Sequence, residues 1–168
     1  YRRALGLDAE IEQLFPPNQG MKWFNLWQMG NTLKELGNYA EALNYLNQVQ
    51  VRYRATKDNN SLIRVLHDIG DVYVRRRDFP KALENLDQAL AILDHDYPFN
   101  LGDLAKEYYL AGDTKKGLEL LNEALAFHSR SEQQTEAAAD LFEIARIERE
   151  LGNFTNARPR IEEPTRIT

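Results

Sequence analysis

One phrase occurs twice in this sequence and constrains the fold more than any other feature. Leu-Gly-Asn-aromatic-x-x-Ala stands at 36–42 and again at 151–157, with weaker echoes at 75–82 and 110–117. Aligned on their turn residues Gly37, Arg77, Gly112 and Gly152, the phrases are 40, 35 and 40 residues apart. Because a fixed period indicates one supersecondary unit used repeatedly, the sequence predicts an array of similar units.

The positions around each turn follow helical spacing. Five residues after the turn a small residue recurs: Ala42, Ala82, Gly117 and Ala157. Eleven residues before the turn the residue is always leucine: Leu26, Leu66, Leu101 and Leu141. Apolar and small residues at intervals of three and four mark one face of a helix before the turn and one face of a helix after it. Each unit is therefore predicted to be a helix–turn–helix pair.

The turn residues suit this interpretation. Glycine can end the first helix in the left-handed conformation, and the following Asn38, Asp78 or Asp113 is expected to cap the second helix. Pro80 would sit just inside a second helix, where a missing N–H costs nothing. The small residues are expected where two helices cross closely, since a larger side chain would overpack that crossing by about 1–3 kcal/mol.

This pattern resembles the tetratricopeptide repeat, and its long period is similar to that of Leu-Gly-Asn repeat proteins and kinesin light chains. The resemblance implies an all-α fold, a right-handed superhelical solenoid of antiparallel helix pairs. The extra residues would lengthen the helices that flank 57–60 and 130–131. We expect one domain over 1–168 with repeats at 21–57, 60–96, 99–128 and 132–168. Residues 1–17 would end a preceding repeat.

The two ends of the sequence differ from its middle. Pro159 and Pro164 are expected to disturb the last helix, because an interior proline costs about 3 kcal/mol. The sequence begins without methionine inside the apparent tail of a repeat, which indicates a fragment of a longer protein. The run at 137–163 resembles the repeats that precede a caspase-like CHAT peptidase domain in bacterial proteins, so a bacterial parent of that type is expected.

Composition narrows the classes of function. The net charge of -5 argues against a nucleic-acid partner, and no apolar run approaches the roughly 18 residues of a membrane span. The absence of cysteine excludes disulfides and thiol chemistry and fits a cytoplasmic protein. No catalytic motif is present, so we expect no enzyme activity, no metal and no cofactor. Asp94-His95-Asp96 is interpreted as a solvated loop rather than a metal site.

The resemblance also implies where a ligand would bind. In this family ligands usually meet the concave side, which the first helix of each pair lines. The positions carried over for partner binding are Trp27, Asn31, Lys34, Arg64, His67, Asp71, Arg75, Lys106, Tyr109, Phe142, Arg146 and Arg149. Trp27 could equally cover the preceding half-repeat, and the run 75–77 could be a solvated helix end. The clamp that chaperone-binding members use for a C-terminal carboxylate is not predicted, because Trp27, His67 and Asp71 occupy its places.

The expected function is that of a non-catalytic protein-interaction module, the scaffold or sensor part of a larger protein. It would bind a peptide or protein segment, with a slight preference for acidic segments because the predicted surface is more basic than the whole chain. Two alternatives remain open at this point: a regulatory domain of a multidomain enzyme, and a self-association module that uses exposed repeat ends.

Overall fold

The computed structural model of the protein describes residues 20–93, 101–131 and 133–152, and in these ranges all regular structure is α-helical. Seven helices follow one another: α1 Gly20–Glu35, α2 Tyr39–Ala55, α3 Asn59–Arg75, α4 Phe79–Ala91, α5 Leu101–Leu110, α6 Thr114–Arg130 and α7 Gln134–Glu150. The chain divides into two compact units, Tyr1–Leu93 and Asp94–Thr168. The first unit contains α1 to α4 and the second contains α5 to α7.

Each predicted turn carries a residue with positive φ. Gly37, Gly112 and Gly152 have φ of 78°, 95° and 80°, and Arg77 reaches 59° without being glycine. At the first turn the N–H of Asn38 donates to the carbonyl of Leu33 at 2.9 Å. This bond and its equivalents satisfy carbonyls that the helix end would leave unpaired. The prediction that these residues end the first helix of a pair is confirmed.

The predicted N-caps are only partly correct. Asp113 accepts a bond from the backbone N–H three residues later at 3.0 Å. Asn38 and Asp78 hold the predicted N-cap positions of α2 and α4, but their side chains form no capping hydrogen bond. Asn38 instead donates to Glu41 at 2.7 Å, and Asp78 pairs with Lys81 at 2.8 Å. A competing side chain in the first turn therefore replaces the cap at both positions. Pro80 lies in the first turn of α4, as predicted.

The small residues lie at helix crossings, as the sequence predicted. A Cβ atom at Gly30 would come within 2.8 Å of Cγ of Leu46, and one at Gly70 within 3.0 Å of Cδ2 of Leu86. Ala42 is fully buried, like Ala82. The leucines of the second helices thus fill the space that the glycines of the first helices leave open.

Helix length explains the uneven period. The two 40-residue spacings contain α2 and α3, and α6 and α7, which are all 17 residues long. The 35-residue spacing contains α4, which has 13 residues, and α5, whose described range has 10. The expectation that the extra residues lengthen the helices flanking 57–60 and 130–131 is confirmed.

Each unit has its own apolar core. One apolar cluster of the first unit contains Trp23, Ala42, Leu43, Leu46, Val49, Val65, Ile69 and Val72, and Ala82, Leu86 and Ala89 of α4 are buried as well. In the second unit the fully buried apolar residues include Leu101, Leu104, Ala105, Tyr108, Leu121, Ala124, Ile144 and Ile147. Among the helices described, none is long and apolar enough to cross a membrane.

Some predictions lie outside the described residues. These are the end of a preceding repeat at 1–17, the loop interpretation of 94–96, and the disturbance of the last helix by Pro159 and Pro164. The single domain over 1–168 and its repeat boundaries stay predictions.

Candidate functional site

In the first unit the predicted binding residues lie on α1 and α3, and we call the surface formed by these two helices the first inner face. Trp27, Asn31 and Lys34 stand on one side of α1 at helical spacing. All three donate to the carboxylate of Asp68 on α3, at 2.5, 3.1 and 3.0 Å. A single acidic side chain thus connects three of the predicted binding residues.

The network continues toward solvent. Nζ of Lys34 also lies 2.9 Å from Asp71, and Asp71 accepts from Nε of Arg75 at 2.7 Å. Arg75 then pairs with the exposed Glu35 at 2.9 Å. Positive and negative groups therefore alternate from the buried Asp68 outward, and the chain of ion pairs crosses from α1 to α3 more than once.

Burial and pairing together set the charge states. Burial opposes ionisation of Asp68, but His67 beside it, the Lys34 charge and the donors Trp27 and Asn31 lower its pKa to about 2. Burial also opposes the charge on Lys34, yet Asp68 and Asp71 raise the pKa of that lysine. Both groups are therefore charged at neutral pH, where each compensates the desolvation of the other.

The structure changes the expected appearance of the first inner face. Lys34 and Asp71 are buried, so their charges are used inside the unit rather than presented to solvent. Trp27 and His67 are half-buried, and Nδ1 of His67 lies 3.9 Å from Asp68. Arg64 is exposed. The role of these residues in partner binding stays a prediction.

In the second unit the corresponding surface is formed by α5 and α7, and we call it the second inner face. The hydroxyl of Tyr109 donates to Glu150. The guanidinium of Arg146 lies 5.5 Å from the centre of the Tyr109 ring and pairs with Glu143 at 2.8 Å and Glu150 at 2.9 Å. Lys106 is 3.8 Å from Asp103. These ion pairs are partly or largely exposed.

Two predicted residues of the second inner face are open to solvent. Phe142 is 62% exposed, although it belongs to a helix whose other side is buried. Arg149 is also exposed, and it lies about two helical turns after Phe142 on the same side of α7. Aromatic residues and arginine are both enriched in protein–protein interfaces.

The sequence analysis did not indicate the contact that a buried carboxylate of the second unit makes. Asp140 on α7 lies 2.6 Å from Nδ1 of His128 on α6. Burial raises the pKa of Asp140, and His128 opposes that effect only in part. Asp68 was not among the predicted binding residues. Its place between Leu66 and Ile69, inside an apolar run, was the available signal that it is buried.

Within 20–93, 101–131 and 133–152, no three His, Cys, Asp or Glu side chains form a group that could hold a metal ion. The polar side chains of both inner faces instead form hydrogen bonds and ion pairs with each other. Their arrangement can present aromatic and charged surface to another molecule.

Comparison with known proteins identifies the class. Residues 24–95 match the family model "Tetratricopeptide repeat", so this part of the chain is similar to tetratricopeptide repeats. The resemblance found in the sequence is confirmed, as is the all-α repeat fold.

Particular relatives can be named within this class. The chain is 30% identical over 103 residues to the BBSome complex member BBS4 of Bos taurus and to that of Mus musculus. The match covers 61% of this chain but only 18% of either relative. A crystal structure of nearly identical TPR-like repeats from a Podosopora anserina protein described as a kinesin light chain superposes with a TM-score of 0.71. That superposition has 22% identity and covers 85% of this chain and 73% of the other.

Proposed function

We propose that this chain is a non-catalytic module that binds a peptide or protein segment on its inner faces, as the scaffold or sensor part of a larger protein. The tetratricopeptide fold itself implies a protein-interaction scaffold. The relatives in cattle and mouse are members of a protein complex, the BBSome, and this chain matches less than a fifth of their length. Membership of a larger assembly is therefore part of the proposal.

The observation that supports binding most directly is the exposed Phe142. A phenylalanine that is 62% exposed loses the stabilisation that burial would give it, which amounts to about 1.5–3 kcal/mol for a fully buried ring. Its position on the second inner face, on the same helix side as Arg146 and Arg149, would let a bound segment cover it. The aromatic ring would then supply apolar contact area, and the arginines would orient the bound segment through hydrogen bonds and ion pairs.

The proposed partner segment is slightly acidic. Arg149 is exposed, and the ion pair between Lys106 and Asp103 is long and accessible to solvent. Such a pair is weak, so it would yield readily to a carboxylate of the partner. Lys34 contributes little to this preference, because its charge is already balanced by Asp68 and Asp71.

The test is a selection of peptides from a random displayed library on the unsubstituted chain, followed by affinity measurement with the selected peptides. Phe142→Ala and Arg149→Ala are each expected to weaken binding about tenfold or more. The matched controls are Phe79→Ala and Arg130→Ala, which remove an exposed phenylalanine and an exposed arginine from second helices. These controls are expected to leave affinity unchanged.

A larger loss of affinity in the control variants than in the inner-face variants would overturn the proposal. Peptides that lose affinity with Phe79→Ala but not with Phe142→Ala would bind the second helices instead. The regulatory-domain and self-association alternatives, the CHAT-type parent and the cytoplasmic location stay predictions.

A further inference from the structure

The indole of Trp27 is oriented by a single carboxylate. Its N–H donates to Oδ2 of Asp68 at 2.5 Å, and an indole has one donor and no acceptor. Only two side-chain torsions separate this donor from the backbone. Fixing the N–H against Asp68 therefore fixes the plane of the ring.

Asp68 is itself held firmly enough to act as a reference point. It is buried, with 8% of its surface exposed, and it also accepts from Asn31 and Lys34. All of these donors come from α1, whereas Asp68 belongs to α3. A carboxylate restrained from several directions in a poorly solvated position provides a rigid acceptor.

The two tryptophans of α1 show why this orientation matters. Trp23 is 2% exposed and belongs to the apolar core, so packing determines its position. Trp27 lies one helical turn later and is only half-buried, with an edge contact to Phe24 at 6.1 Å between ring centres. Because packing encloses only part of the Trp27 ring, its hydrogen bond has to supply the remaining restraint.

We propose that Asp68 is the positioning residue of the first inner face: its carboxylate fixes the Trp27 indole and so presets the aromatic surface that a bound segment meets. This inference rests on the proposed function, since it assigns Trp27 to the binding surface. A ring that is already oriented loses less conformational freedom when a partner binds. Aromatic anchors with few torsions are effective in binding sites for this reason.

The competing explanation is that Asp68 only joins the two helices through Lys34. Asp71 provides a matched control, because it also pairs with Lys34, at 2.9 Å, and is also buried. Asp68→Ala and Asp71→Ala each leave Lys34 with one carboxylate. Only Asp68→Ala removes the acceptor of the Trp27 N–H. A purely structural role predicts the same behaviour for the two variants.

The experiment compares the two indole N–H signals by heteronuclear NMR, with Trp27→Phe used to assign them. Asp68→Ala is expected to shift the Trp27 signal and to speed its exchange with solvent about tenfold or more, while Trp23 stays unchanged. Asp71→Ala is expected to leave both signals in place. Asp68→Asn, which keeps an acceptor oxygen, is expected to restore part of the protection. Equal responses to Asp68→Ala and Asp71→Ala would overturn the positioning role.

A second measurement separates this inference from the proposed function. The probe is a peptide selected from the displayed library on the unsubstituted chain and shown to bind the first unit by its effect on the Arg64 signals. Its affinity is expected to fall about tenfold with Trp27→Ala and with Asp68→Ala, but not with Asp71→Ala. Affinity unaffected by Trp27→Ala would overturn the role of the first inner face in binding, even if Asp68 still orients the ring.

The unsubstituted chain provides a measurement that needs no variant to fold. Its Trp27 indole N–H is expected to exchange at least tenfold more slowly than in the unfolded chain, because the bond to a buried carboxylate protects it. Exchange at the rate of the unfolded chain would contradict the inference on its own.

Discussion

Each unit buries more than one carboxylate, and Asp68 of the first unit and Asp140 of the second differ in the direction of their pKa shift. Asp68 in the first unit has a pKa lowered to about 2, whereas burial raises the pKa of Asp140 in the second unit. Asp68 accepts from Trp27, Asn31 and Lys34, while among the described residues Asp140 has its short contact with His128. The number of donors around a buried acid, rather than burial itself, decides which form the fold stabilises.

The ion-pair networks of the two units also differ in their burial. Buried Lys34 and Asp71 carry the network of the first unit, whereas Arg146, Glu143 and Glu150 in the second unit keep contact with water. Buried ion pairs are costly to break, and exposed ones contribute little. The first network is therefore expected to hold its helices in one arrangement, and the second is free to exchange its partners.

The largest expected effect comes from breaking the first network. Lys34→Met removes the charge but keeps most of the volume, and it leaves buried Asp68 without its lysine and Asp71 paired with Arg75 alone. We expect a loss of about 3–5 kcal/mol in the free energy of unfolding, measured by urea denaturation. Arg146→Met in the second unit is expected to cost less than about 1 kcal/mol. Equal losses would show that burial does not distinguish the two networks.

The dependence of the unfolding free energy on pH in the acid range tests the difference between the two carboxylates. Because the pKa of Asp68 is about 2 in the folded chain and 3.8 is its ordinary value, its contribution is complete above pH 3.8 and is lost as pH falls toward 2. At about 1.36 kcal/mol per pKa unit, this amounts to about 2 kcal/mol. Asp68→Asn should flatten the decline in unfolding free energy across this range.

Asp140 should respond with the opposite sign. Its pKa is raised by burial, so the folded state favours its protonated form and loses stability as pH rises through the ordinary carboxyl value toward the raised one. In Asp140→Asn this loss should be absent. If the free energy of unfolding of Asp68→Asn falls as steeply between pH 3.8 and 2 as that of the unsubstituted chain, or more steeply, the comparison is contradicted.

Glycine substitutions compare the packing of the two units. Ala at Gly30 would place Cβ against the side chain of Leu46, which can move, so the gain in helix propensity of about 1 kcal/mol offsets part of the cost. Ala at Gly117 would place Cβ 2.8 Å from the backbone oxygen of Ala105, which cannot move independently. Gly117→Ala should therefore destabilise by about 1–3 kcal/mol. The melting temperature of Gly117→Ala should therefore be lower than that of Gly30→Ala. The reverse order would refute this account.

The smallest effect is expected at the exposed hydrogen bond of Tyr109, and the hydrogen bond of Trp27 to a buried carboxylate provides the contrast. Tyr109→Phe removes a bond to the exposed Glu150 and should change the unfolding free energy by less than about 1 kcal/mol. Trp27→Phe removes a donor from the buried Asp68 and should cost about 1.5–3 kcal/mol. Chemical denaturation of both variants, beside the unsubstituted chain, checks the order.

The features that repeat could be predicted from the sequence, and those that occur once could not. Gly37 and Gly112 end their helices as predicted, because local backbone chemistry determines a left-handed turn. Asn38 and Asp78 hold the predicted N-cap positions, but the expected capping bonds are absent, since Glu41 and Lys81 compete for the same side chains. Local sequence patterns do not show which of two such partners is chosen.

The contact of Trp27 with Asp68 could not be predicted, because the two residues are 41 positions apart. It depends on the rotation of α1 against α3 and on rotamers that only packing selects. The list of predicted binding residues nevertheless included Trp27, Asn31 and Lys34, which all meet at that carboxylate. Helix-face spacing can thus indicate which residues share a surface, but not whether they face water or each other.

The turn at Arg77 offers a practical use. Three turns have glycine with positive φ and no atom within 4 Å of a Cβ built there, and Arg77 shows that such a turn also accepts a long, exposed side chain. The sequence has no cysteine, so Arg77→Cys would create a single attachment point for a fluorophore, spin label or surface linker. A probe placed there would leave both inner faces chemically unaltered.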